Sequence, residues 1–356
     1  MIVKKTVAAL FSFLLSATAA MADDPPAPPT HLAMAQSAIE TYIIPHIDAL
    51  KAAAAPLPGA VENVCKTGSP DAQKQLEKTF ANVVMAYAGV DFLRFGPMLE
   101  KGRREQLSFW PDPRGFVARQ LRLTLLNKDE KITEPGMLAK QSAAIQGLPA
   151  LEVLIQDKTV PLGPSEPARF RCLLGQAIAN NIVRLTTEVA DGWEKPGGWK
   201  DKMLHPGPDN DTYKSASESA VEVVKALLVG FSLTGDLQLK PQVDPKIRLT
   251  PPYEKSGLQK QFYATSVASL HELYNTLQLE SYLKPDLSWM KGWAQGTWRA
   301  IESIDGAGGR ASHAQRADTP TTREVFDRMN GLRNIVANRL SVAAGLTVGF
   351  NELDGD

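Results

Sequence analysis

Apolar residues return every three or four positions over most of this chain, and that spacing allows little but helices packed through one face. Leu76, Phe80, Val83, Tyr87 and Val90 step by four, three, four and three, which draws one stripe down a helix. Leu174, Ile178, Ile182, Leu185 and Val189 keep helical spacing, as do Val325, Met329, Leu332, Val336 and Leu340. Alternating runs of the kind a half-buried strand needs are rare, so the chain is expected to be all-α. Helix entries are marked by Ser69 before Pro70, by Ser215 with Glu218 and by Thr321 with Glu324, the last two as capping boxes.

Pro- and Gly-rich breaks at Lys195-Pro196-Gly197-Gly198 and His205-Pro206-Gly207-Pro208 fall near the middle, and a third runs from Pro241 to Pro252. Helices are expected over 31–55, 71–95, 114–127, 137–157 and 167–191 before the central break, and over 215–233, 255–282, 286–303 and 320–345 after it. Two packed helical bundles follow, over 31–205 and 206–356. No residue-level repeat relates the halves.

The first residues carry Lys4 and Lys5, an apolar run from Val7 to Leu15, and Ala20-Met21-Ala22. This is the pattern of a secretory signal peptide cleaved after Ala22, which predicts a periplasmic protein with no membrane anchor. Residues 23–30 form a Pro-rich lead expected to be disordered. The sequence holds 39 basic and 39 acidic residues, and removing Lys4 and Lys5 leaves 37 against 39. The basic residues are dispersed, which excludes a nucleic-acid partner. Cys65 and Cys172 are the two cysteines. In an oxidising compartment one disulfide is the default, with two buried thiols as the alternative.

Polar residues set where the helical pattern calls for apolar ones are the informative positions, because a buried charge is costly unless paired or used. Arg94 falls on the Leu76–Val90 stripe with Asp91 beside it, as an ion pair or as part of a cleft. Glu152 sits within the apolar face of Ile145, Leu148, Leu151 and Ile155, where it would have a raised pKa, pair with an arginine such as Arg94, or bind a cation. Gly147 and Pro149 should kink or break the helix beside it. The turn Phe109-Trp110-Pro111-Asp112-Pro113-Arg114-Gly115 either lines a pocket or plugs a bundle end with Trp110. His271-Glu272 is followed by Asn275 where a zincin helix needs its second histidine, and no nucleophile elbow or phosphate loop is present.

The runs Val90 to Pro97, Phe109 to Gly115, Gln146 to Glu152 and Gly349 to Asp356 together resemble imelysin-like proteins, in the family's order and over nearly the whole chain after the leader. The resemblance implies two pseudo-symmetric helical bundles with a cleft between them, and it favours the Cys65–Cys172 bridge. It also implies an envelope metallopeptidase ancestry, with a G-x-H-x-x-E motif in the cleft. Here that motif reads Gly147-Leu148-Pro149-Ala150-Leu151-Glu152, so Pro149 stands where the histidine would and half the metal signature is lost. Relatives with a substituted motif imply non-peptidase envelope proteins, some tied to iron uptake.

Three functions are therefore carried forward. The first is a ligand-binding or iron-uptake accessory protein whose cleft, built from Glu152, Gly147, Pro149, Arg94, Asp91, Trp110, Asp112, Arg114 and Ser142, takes a small ligand, an iron species or a peptide. The second is a metallopeptidase in which Glu152 holds a divalent metal or iron with ligands from elsewhere. The third is a structural envelope protein with every polar group satisfied. Oligomeric state is not encoded legibly.

Overall fold

Each predicted helix entry does what its chemistry requires. The side chains of Ser69, Ser215 and Thr321 accept from the amides of Ala72, Glu218 and Glu324. Glu324 returns the bond to the Thr321 amide at 2.6 Å, which closes a capping box. Glu218 reaches back one residue further, to the Lys214 amide at 2.6 Å.

A computed structural model describes residues 27–303 and 321–349; among these the chain is helical and contains no strand. The predicted leader, the Gly349 to Asp356 run beyond its first residue, and the cleavage point after Ala22 lie outside the described residues. The long helices are α1 (31–54), α2 (Leu57–Thr67), α3 (Pro70–Ala88), α4 (Phe116–Asn127), α5 (Leu148–Gln156) and α6 (Arg169–Glu194). They continue with α7 (Ala216–Ser232), α8 (Gln259–Leu277), α9 (Trp289–Glu302) and α10 (Thr322–Ile335).

The second half of α1 packs with α2, α3 and α6 in a four-helix arrangement, while α7, α8, α9 and α10 make a second group. The first turns of α1 pack on α7 and α8 instead, so this one helix belongs to both groups. The changeover falls at a π-helical stretch, Ala38–Ile43, whose extra residue per turn rotates the apolar stripe toward new neighbours. Further π-helical stretches follow α7 at Leu233–Leu239 and α10 at Val336–Leu340. The groups are welded by α3 against α8 and share one continuous core that includes Tyr42, Phe80, Tyr87, Phe231 and Phe262. At Gly230 an added Cβ would lie 2.0 Å from Leu270, so α7 and α8 approach as closely as they do because that residue has no side chain.

Cys65 on α2 and Cys172 on α6 form a disulfide with Cα atoms 5.8 Å apart, across 107 residues of sequence. In the chain-entropy picture a loop of that length stabilises by roughly 4–5 kcal/mol. No described helix is long and apolar enough to cross a membrane.

Two expected helices are shorter than the spacing suggests, one at its end and one at its start. The 71–95 segment stops at Ala88; Gly89 caps it, and residues 90–94 form turns through Val90 and Asp91 amides donating to Tyr87. The 137–157 segment is continuous helix only over Leu148–Gln156, preceded by short 3₁₀ turns at Leu138–Lys140 and Ala143–Ile145. Pro149 does not kink a helix. It lies in the first turn of α5, where an amide would have no intrahelical partner anyway.

Candidate functional site

Gly147 sets the entrance to α5. A Cβ there would lie 2.2 Å from the Leu107 carbonyl oxygen and 2.3 Å from that of Gln106. Only glycine lets α5 start hard against the short helix Arg103–Leu107, and the neighbouring Gln146 carbonyl is fixed by the Asn181 side-chain amide at 3.1 Å. One turn on, this anchored start places Glu152 against the loop that leads from α7 into α8.

That loop, 244–258, crosses from the second helix group to lie over α4 and α5. Four hydrogen bonds hold it. Ser256 donates to Glu152 Oε1 through its amide at 2.8 Å and its hydroxyl at 2.6 Å. The Trp110 indole donates to the Thr250 carbonyl at 3.0 Å. The Tyr253 hydroxyl meets Ser108 Oγ at 3.1 Å, and its ring packs at 5.1 Å from that of Phe262. Tyr253 has a positive φ of 56°, which turns the loop back onto the body of the protein.

Beneath the loop is a cleft of about 350 Å³, within the size range of small-ligand pockets. Its walls come from Phe109 and Trp110, the start of α4, Pro149, Glu152 and Val153 of α5, and residues 250–255. Glu152 is 6 % exposed. Burial raises its pKa above the ordinary carboxylate value, with the two Ser256 bonds and Lys255 only partly offsetting that. Both bonds fall on Oε1, so Oε2 accepts nothing from the described residues, and Glu152 is one of the residues that line the cleft. Asp112 is already committed: Oδ1 and Oδ2 accept from the Phe116 and Val117 amides at 2.8 and 2.9 Å, closing the start of α4.

Of the residues singled out from sequence, Glu152, Pro149, Trp110 and Asp112 line this cleft together. Gly147 shapes it from behind without lining it. Arg114 is exposed on the α4 side, and exposed Ser142 caps a 3₁₀ turn through the Ala144 amide; neither lines the cleft. Asp91 and Arg94 lie in a separate buried polar cluster. Asp91 accepts from the Tyr87 hydroxyl at 2.6 Å, and Arg104 donates to the Trp110 carbonyl at 3.3 Å. Arg94 does not pair with Glu152. Its Nε and Nη2 are buried without a hydrogen-bond partner, and burial lowers its pKa despite the charge of Asp91 nearby.

The cleft residues that sequence reasoning missed are those of the 244–258 loop, above all Ser256 and Tyr253. The Pro241 to Pro252 run marked a loop, and nothing in its composition said what it would cover.

A family model described as Imelysin matches residues 39–277, about two thirds of the chain. The chain belongs to the imelysin family. Among solved structures, an imelysin-like protein from Psychrobacter arcticum 273-4 superposes with a TM-score of 0.73 at 15% identity, covering 92% of this chain and 100% of that one. A protein from Parabacteroides distasonis ATCC 8503 described as an iron-regulated protein A precursor gives 0.66 at 12% identity, over 90% and 96%. At those identities the likeness shows the shared fold. No curated protein matches.

The motif residues of this imelysin-family chain do not fit a metal centre. Pro149 offers no donor, Oε1 of Glu152 is held by Ser256, and Asp112 is closed onto two amides. Among the described residues no group of three or more His, Cys, Asp or Glu side chains could hold a metal ion.

Proposed function

We propose that this is a periplasmic ligand-binding accessory protein of the imelysin family, exported by the leader ending at Ala22, which takes an organic ligand into the Glu152 cleft without cleaving it. The observation that carries this reading is a buried carboxylate with one oxygen free of protein donors, Glu152, lining an open cleft in which Trp110 and Asp112 are already bonded within the protein. A purely structural protein has no use for such a group, since burying a carboxylate with an unused acceptor costs stability. A peptidase would need metal donors that the motif no longer supplies. The iron-regulated description of the Parabacteroides protein supports iron supply as the cellular setting, with an iron-bearing organic molecule or a peptide among the ligand classes to test.

The test is a ligand screen by thermal shift on the mature, disulfide-bonded protein, repeated on Glu152→Ala and Trp110→Ala. Compounds that raise the melting temperature of the wild type should lose that effect in both variants. Stabilisation that survives both substitutions would place binding elsewhere and overturn the assignment.

A further inference from the structure

The chemistry of the cleft narrows what can fill it. Each interior polar side chain except one oxygen is taken: Trp110 Nε1 by Thr250, the Tyr253 hydroxyl by Ser108, both oxygens of Asp112 by amides, and Glu152 Oε1 by Ser256. Apart from the exposed Thr250 hydroxyl and the hydroxyls of the Tyr253–Ser108 pair, the cleft therefore presents one carboxylate oxygen that no described residue donates to. The N-terminus of α4, which would otherwise draw an anion, already holds the Asp112 carboxylate. The remaining walls are apolar or aromatic: Phe109, Trp110, Val117, Pro149, Val153 and Pro251. At the rim Glu254 and Lys255 are both exposed and of opposite charge, so they set no preference of their own.

Resting on the cleft-binding reading above, we propose that the ligand is a cationic amine or guanidinium carried on an apolar body, with its charged head on Glu152 Oε2 and its body against Trp110, Pro149 and Val153. A donor from the ligand satisfies the one acceptor the protein leaves open, and a charged donor to a buried carboxylate makes the strongest such bond. The Trp110 face adds cation–π attraction. A neutral ligand leaves a buried carboxylate uncompensated, and an anionic one repels it. Burial raises the Glu152 pKa, and a bound cation would favour the charged form and draw it down.

The experiment is calorimetric titration of the mature protein near neutral pH with three probes of matched shape: phenethylamine, 2-phenylethanol and 3-phenylpropionate. The amine should bind about tenfold or more tighter than the alcohol, with the carboxylate weakest. Glu152→Gln keeps an oxygen for Ser256 and replaces the free oxygen with a donor. It should lose about tenfold or more for the amine and change alcohol binding by no more than about twofold. The probe preference of the wild type needs no substitution, so a misfolded variant does not protect the proposal. Equal affinity for amine and alcohol, or a preference for the carboxylate, overturns the amine assignment and leaves the cleft as a binding site. Binding of none of the three overturns the amine assignment, and if no compound in the wider screen binds either, the cleft reading falls with it.

Discussion

Replacing Gly147 by alanine tests whether the motif glycine acts through packing. The new Cβ would sit 2.2 and 2.3 Å from the carbonyl oxygens of Leu107 and Gln106, more than 1 Å inside ordinary contact distance. Those atoms are backbone and cannot rotate away. Relief requires shifting the Arg103–Leu107 helix or pulling α5 off it, against the Asn181 bond to the Gln146 carbonyl. Overpacking of this kind costs about 1–3 kcal/mol where side chains can give, so a backbone clash belongs at or above about 3 kcal/mol. For a chain of this size, with an unfolding entropy of about 0.7 kcal/mol/K, that corresponds to a melting temperature lower by roughly 4 °C or more. The assay is urea unfolding followed by far-UV circular dichroism, with Gly59→Ala as control. Gly59 is helical, an added Cβ would meet nothing within 4 Å, and its change should be neutral or stabilising by up to about 1 kcal/mol. If Gly147→Ala falls within about 0.5 kcal/mol of wild type, α5 is not seated as described and the account of how Glu152 is positioned fails.

Three further outcomes follow from the same contacts. Because burial raises the Glu152 pKa, its neutral form suits the fold better: its contribution is fully present below the unfolded-state value and is lost as pH rises through the higher folded value. The stability of wild type relative to Glu152→Gln should therefore fall as pH rises through that window; a pH-independent difference, or one of opposite sign, in thermal melts would refute it. Reducing Cys65–Cys172 should destabilise the protein by up to roughly 4–5 kcal/mol, seen as a lower midpoint in denaturant, and an unchanged midpoint with free thiols in the native protein would refute the bridge. Trp110→Ala removes the indole bond to Thr250 and should speed limited proteolysis within 244–258; unaltered cleavage would show the loop is held by other means.

The helical class was legible because apolar spacing and capping chemistry agree, and the caps at Ser69, Ser215 and Thr321 form as the side chains predict. The end of α3 was not legible. Val90, Asp91 and Arg94 continue the apolar and polar spacing of a helix, while the chain has already turned at Gly89. The same ambiguity left Pro149 between a kink and a break, since a proline inside a helix and one in its first turn look alike until the preceding residues are seen to be 3₁₀ turns. Glu152 stood out by being a carboxylate on an apolar face. Its partner did not, because Ser256 lies 104 residues away in a loop whose composition says only that it is irregular.

The central claim is that Glu152 serves an organic ligand and not a metal. Its most direct test is metal content by mass spectrometry on the mature protein purified from periplasm, side by side with Glu152→Ala. The account predicts metal well below one equivalent in both proteins. Stoichiometric zinc or iron in the wild type that disappears in Glu152→Ala would contradict it and restore a metal-centred site despite Pro149.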